Sequence, residues 1–225
     1  MRIPSVFLIL AAAAASATAS AQAPGGLPSR TLEAMRRDFP LDHQAIAATF
    51  AGKSPEEARR LAYAGIDRFL RSRNAAILAA PGSSLLAIEA RQGALLRTLG
   101  RQDFRLCAAV SNRGFFSSEA AAAAAPAGLD EYGEALVEAA KTGGGAGGGA
   151  TLMTGEDLQA WLAAVDKIEP GLPVWGMLSD PQLRARTGPD QLCRAGAAMH
   201  EAVATLPAGV RERVARTLLR SVLAS

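Results

Sequence analysis

Nowhere along this chain do apolar and polar side chains alternate for the length of a β-strand, whereas apolar residues recur at three- and four-residue spacing in one segment after another. That spacing places them on one face of a helix, and the residues between them are chiefly Ala, Leu, Arg and Glu, the strong helix formers. Aromatic residues, which favour strands, make up only 5% of the sequence, and β-branched ones are scarce. The expected fold is all-α, an irregular multi-helix bundle of about seven to nine helices with no sheet.

Helix ends are marked by capping chemistry. Ser54-Pro55-Glu56-Glu57 joins an N-cap serine, a first-turn proline and a glutamate placed to close a capping box. A long helix should follow to Pro81-Gly82, with Leu61, Ala62, Gly65, Ile66, Phe69, Leu70, Ile77 and Leu78 on its inner face. Two shorter helices are expected before it, over Arg30 to Asp38 and Leu41 to Ala51, parted by Pro40. Ser83 or Ser84 should cap the next, which carries Leu85, Ile88, Leu95, Leu96 and Leu99 inward. Asp103 opens a short helix with Phe104, Leu106, Cys107 and Val110 facing the interior, and Ser117 or Ser118 precedes an Ala run to Ala125. Leu129 to Lys141 reads as amphipathic, with Leu136 and Val137 inward. Thr154 with Asp157 starts a helix through Lys167 that buries Leu158, Trp161, Leu162 and Val165. Two more are expected, Pro189 to Leu206 and Ala208 to Leu223, the last using Val210, Val214, Leu218 and Val222 as its inner stripe.

Two stretches break the pattern. Gly143 to Gly149 is almost entirely glycine, costly to order, and reads as a flexible loop; no strand precedes it and no Lys-Ser or Lys-Thr follows, so it is not a phosphate cradle. Glu169 to Pro189 holds Pro170, Gly171, Pro173, Gly176, Pro181 and Gly188 and is expected to be irregular.

The N-terminus pairs Arg2 with an apolar run from Val6 to Ala15 and a small-x-small site at Ala19-Ser20-Ala21, the pattern of a secretory signal peptide over residues 1–21. The run is about ten residues, half of the roughly twenty that span a bilayer, so no transmembrane segment is expected. Residues 22–225 then form a single helical domain, periplasmic or secreted. In an oxidising compartment Cys107 and Cys193, which have neither C-x-x-C nor metal-site spacing, are expected to pair as a disulfide across the Gly-rich stretch.

The formal charge of +3 is too small to argue for a polyanionic partner, and no aromatic residues are interleaved with the Arg, so nucleic acid is disfavoured. Its distribution is uneven: Ser54 to Phe116 carries ten Arg and five acids, and Ser117 to Pro170 two Lys and nine acids. The two segments are expected to fold together and partly neutralise each other.

Catalytic signatures are thin. His200-Glu201 begins an H-E-x-x-H pattern, but position 204 is Ala, and His43 reads as a surface residue at a helix start. There is no G-x-S-x-G elbow. Glu119, and Glu131 or Glu134 beside Tyr132, are the carboxylates that a helical glycan hydrolase would recruit. Trp175, with Met177 and Leu178 in the irregular segment, is read either as a core plug, favoured because large apolar groups are few, or as an anchor for a partner. Together these features point to an exported envelope protein that binds a protein or another envelope component without catalysis, cofactor or metal. The alternatives are a cell-wall glycan hydrolase, or a protein that meets anionic membrane surfaces through Arg-rich helices. A cleft holding a carboxylate of raised pKa beside a second polar group would favour the enzyme.

Overall fold

Twelve helices and no strand occur among the residues described in the computed structural model, 26–113, 128–144 and 151–224. The stretch expected to be a leader, residues 1–21, the Ser117 to Ala125 stretch with Glu119, and residues 145–150 lie outside them. The first half comprises α1 (Ser29–Asp38), α2 (Pro40–Phe50), α3 (Pro55–Ser72), α4 (Asn74–Ala79), α5 (Gly82–Gln102) and α6 (Phe104–Arg113). The second comprises α7 (Leu129–Gly143), α8 (Gly155–Ile168), α9 (Val174–Ser179), α10 (Pro181–Arg186), α11 (Pro189–Val203) and α12 (Ala208–Ala224).

The helices are more numerous than sequence periodicity predicts, for two physical reasons. The long helix expected from Pro55 to Pro81 is interrupted at Arg73, whose guanidinium lies 5.2 Å and 5.8 Å from the ring centroids of Phe39 and Phe69 and pairs with Asp42 at 3.1 Å. At the break Arg73 thus faces Phe69 of its own helix, Phe39 just before α2 and Asp42 within α2, contacts that a helix running straight on is not required to make. The segment expected to be irregular instead holds α9 and α10: Pro181 and Pro189 occupy first-turn positions of α10 and α11, where a missing N–H costs nothing.

Caps form where the sequence places them, with two departures. Thr154 and Asp157 make a complete capping box at 3.2 Å and 2.9 Å. Ser54 accepts from the Glu57 amide at 3.3 Å, but the Glu57 carboxylate turns to Lys53 Nζ at 3.4 Å, so that box is half formed. Neither Ser83 nor Ser84 caps α5, which begins at Gly82 behind Pro81.

At the centre, α5 buries Leu85, Ile88, Leu95, Leu96 and Leu99 and packs most extensively on α11, with α6, α7 and α12 also against it. Trp161 of α8, 1% exposed, fills the space beside α11 and donates from Nε1 to the Met199 carbonyl at 2.9 Å. Buried side chains from both sides of the Gly-rich stretch therefore belong to one continuous cluster. Gly143 is not the start of a loop: it ends α7, buried against α4, where a Cβ would overlap the Ala76 carbonyl. Cys107 on α6 and Cys193 on α11 stand 5.3 Å apart at Cα with their sulfurs at bonding distance. Gly100 of α5 passes so close that a Cβ there would lie 2.7 Å from Cys193 Sγ.

Two inner stripes differ from expectation. Phe104, the first residue of α6, is 47% exposed. On α12 the buried stripe is Val214, Ala215, Leu219 and Leu223, while Val210, Leu218 and Val222 are only half-buried. Charge is neutralised in an unexpected place too: Arg30 of α1 pairs with Glu131 and Glu134 at 2.9 Å and 2.8 Å, and Lys141 with Asp38 at 3.0 Å. The acids of α7 are thus met by α1 or its flank, while Glu169 of the same acidic segment pairs with Arg97 of the Arg-rich 54–116 segment as expected. None of the described helices is long and apolar enough to cross a membrane.

Candidate functional site

The six residues of α9 divide cleanly by face. Val174 and Met177, three apart, turn inward and are buried, whereas Trp175 and Leu178, also three apart, are 53% and 44% exposed. A short loop holds α10 against it. Asp180 accepts from the Gln182 amide at 2.8 Å to start α10, and Leu183 packs so tightly on Gly176 that a Cβ at 176 would lie 2.7 Å from it. Helix α9 then closes one wall of a cleft of about 310 Å³, through Met177 from its buried face and Leu178 at the rim, with Leu192, Met199, Leu218 and Val222 completing the apolar lining. Arg184, Ser111, Ser221 and His200 supply its polar groups. Leu218 and Val222, two of the half-buried residues of α12, therefore line a cleft, which explains why they do not complete the core.

Trp175 does not plug the core, as the shortage of large side chains suggests it should. Trp161 fills that role, and Trp175 stands on the outer face of the helix that bounds the cleft.

Behind the cleft lies a buried pair absent from the sequence reading. Glu89 of α5, 1% exposed, shares a 2.6 Å hydrogen bond between Oε2 and His200 Nδ1 on α11. His200 is itself buried and borders both the cleft and a second pocket of about 360 Å³. That pocket is walled by Leu86, Ala90, Ala94, Val203 and Ala204, with Glu89, Glu201 and Arg211 as its charged members. Nearby, Tyr132 donates to Gln92 Oε1 at 3.4 Å, and burial first, then the Glu89 carboxylate, pushes its phenol far up.

Burial, opposed by His200, pushes the Glu89 carboxyl above its ordinary 4.5. The native state then holds that proton more tightly than the unfolded chain. Its contribution to stability is complete below pH 4.5 and is lost as pH rises through the native-state value. Glu89→Gln removes the dependence. In urea unfolding from pH 4 to 8, the stability of the variant relative to wild type should therefore rise with pH. A difference that stays flat or falls would mean that the native carboxyl is ionised throughout.

The surrounding charges are firmly held. Arg97 grips Glu201 through Nε and Nη2, both at 2.7 Å, and Glu169 through Nη1 at 2.9 Å. Arg194 completes the network by bonding Glu169 from the other side, and these hydrogen bonds, Arg194 first, hold the Glu169 carboxyl below its usual range. Across the molecule Arg213 grips Asp157 through two 2.7 Å bonds and lowers its carboxyl strongly.

Of the carboxylates singled out for glycan hydrolysis, Glu119 lies outside the described residues, and Glu131 and Glu134 both pair with Arg30; Glu134 lines a pocket of about 400 Å³ in which Arg30, Arg37 and Arg91 surround it. His43 is half-buried on α2, and no group of three or more metal-ligating side chains occurs among the described residues. Glu89 meets the criterion of a raised carboxyl beside a second polar group, and the sequence does carry its signal. It falls four residues after Leu85 and seven before Leu96, inside the apolar stripe of α5. Yet its side chain is shut from solvent, out of reach of a glycosidic oxygen in an extended chain.

Comparison with known protein families, with curated proteins and with solved structures finds no match to this chain. Fold and site together describe an all-α protein with a disulfide-distance cysteine pair and two pockets that meet at a buried carboxyl–imidazole pair.

Proposed function

We propose that this is an exported, non-catalytic binding protein of the cell envelope that holds an apolar segment of a partner protein on α9 and in the cleft behind it. The observation that carries the reading is exposed Trp175 on α9, with Leu178 of the same helix exposed at an apolar cleft that it helps to line. An exposed Trp beside such a cleft is the composition of an interface anchor. Arg184 at the cleft offers a charge to an acidic residue flanking the bound segment. Export is supported by the leader-like N-terminus and by the placement of Cys107 against Cys193.

Photo-cross-linking in the native envelope tests this. With Trp175 replaced by a benzophenone amino acid, one discrete adduct should form, and Leu178→Asp should abolish it. The same group at exposed Arg101 should give none. Adducts of equal yield at both positions, or none at 175, would overturn the reading.

A further inference from the structure

The cleft is the space between two bodies. One wall, Val174, Met177, Leu178 and Arg184, comes entirely from α9 and α10, and every other lining residue belongs to α6, α11 or α12. Beyond its two covalent joints, the first wall is fastened to the second by apolar contact. The hydrogen bonds of α9 and α10 stay within the pair: Ser179 donates to the Trp175 carbonyl, Arg186 to Gln182 Oε1, Thr187 Oγ1 to the Leu183 carbonyl, and the amides of Asp180 and Arg184 to the carbonyls four residues before them. Among the described residues none of these bonds reaches α8, α11 or α12, and Asp180, Arg184 and Arg186 have no ion pair. Helix α10 buries no residue, α9 buries only Val174 and Met177, each 4% exposed, and Trp175 faces water. Leu183, packed on Gly176, makes the two helices one unit.

Both ends of that unit are built to turn. Gly171 sits at φ +79° with nothing within 4 Å of where a Cβ would stand, while its amide, bonded to Asp166 Oδ1 at 3.3 Å, fixes the side of the joint nearer α8. Thr187 and Gly188, both extended, part α10 from α11. We propose that α9 and α10 form a flap that swings as one body about Gly171 and Gly188 and so opens the cleft. That the opening admits a partner's apolar segment rests on the role proposed above; the swing itself does not. Opening breaks none of the hydrogen bonds above and bares the two buried side chains of α9, whereas Val137 of α7, 0% exposed, is reached only when the helices of the body part.

Thiol labelling of the intact, disulfide-bonded protein tests this, with each rate corrected for that of the same variant when denatured. Val174→Cys protein should react with N-ethylmaleimide at least roughly a hundredfold faster than Val137→Cys protein. Met177→Cys protein should match the Val174→Cys rate, because one motion uncovers both. Low concentrations of urea should leave the two flap rates unchanged and raise the rate at 137 steeply, since the flap exposes little surface and global unfolding exposes most of it. Equal rates at all three positions, or flap rates that climb with urea as steeply as that at 137, would overturn the proposal. The rates are read without any partner, so a missing cross-link at 175 would leave them standing.

Discussion

Reduction of the Cys107–Cys193 bond should lower the unfolding free energy by about 4–5 kcal/mol, the loop-entropy value for a ring this long. The two residues are 86 positions apart, so the bond withholds from the unfolded chain most of the freedom of the segment between them. Strain at the bond is not required for the effect. The bond joins α6 to α11 where both lie against the last turns of α5, so its loss also frees the contact that buries Cys107 and Val110. Urea unfolding with and without dithiothreitol should show the fall in wild type. Cys107→Ala/Cys193→Ala protein should start from the lowered value and ignore the reductant. A change below about 1 kcal/mol would mean that the pair does not close in the folded protein.

Removing Asp130 should be nearly as damaging, by a different mechanism. Helix α1 is preceded by Pro28 and has no side-chain cap of its own, so its first amides look elsewhere. Asp130, buried in the first turn of α7, accepts from the Arg30 amide at 2.8 Å, the Thr31 amide at 2.7 Å and Thr31 Oγ1 at 2.8 Å. Asp130→Ala leaves the Arg30 and Thr31 amides unpaired at a closed interface, while Thr31 Oγ1 keeps the Asp130 backbone carbonyl at 3.1 Å, a loss of about 3 kcal/mol. Asp130→Asn keeps one acceptor oxygen and should lose roughly half as much. Hydrogen exchange should show the amides of α1 and α2 losing protection first, because α2 reaches the body largely through α1 and α3. Unchanged protection of α1 in Asp130→Ala protein would contradict this capping role.

What could be read in the sequence, and what could not, separates along local and distant interactions. The all-α class, the capping box at Thr154 and the buried stripe of α5 depend on residues within a turn or two of one another, and all three are legible. The break at Arg73 is not, because the residues that Arg73 meets there, Phe39 and Asp42, lie more than thirty positions away at the start of α2. The cap on α1 comes from a residue about a hundred positions away. On α12, periodicity identifies an amphipathic helix but not its neighbours, so it misses that Leu218 and Val222 face a cleft while Leu219 and Leu223 face the core. Pro181 reads as a breaker but begins a helix, whereas Pro189 begins the helix expected there. Glu89 was visible as a carboxylate within an apolar stripe, but its partner His200 lies 111 residues further on, and only the packing of α5 on α11 joins them.

Everything proposed for α9 rests on a tryptophan that faces water while its counterpart fills the interior. Iodide quenching of the two tryptophans addresses this in the isolated protein. One emission component should be strongly quenched and disappear in Trp175→Phe protein, leaving the shielded signal of Trp161. Uniformly weak quenching, unchanged by that substitution, would place Trp175 inside the core and remove the binding surface.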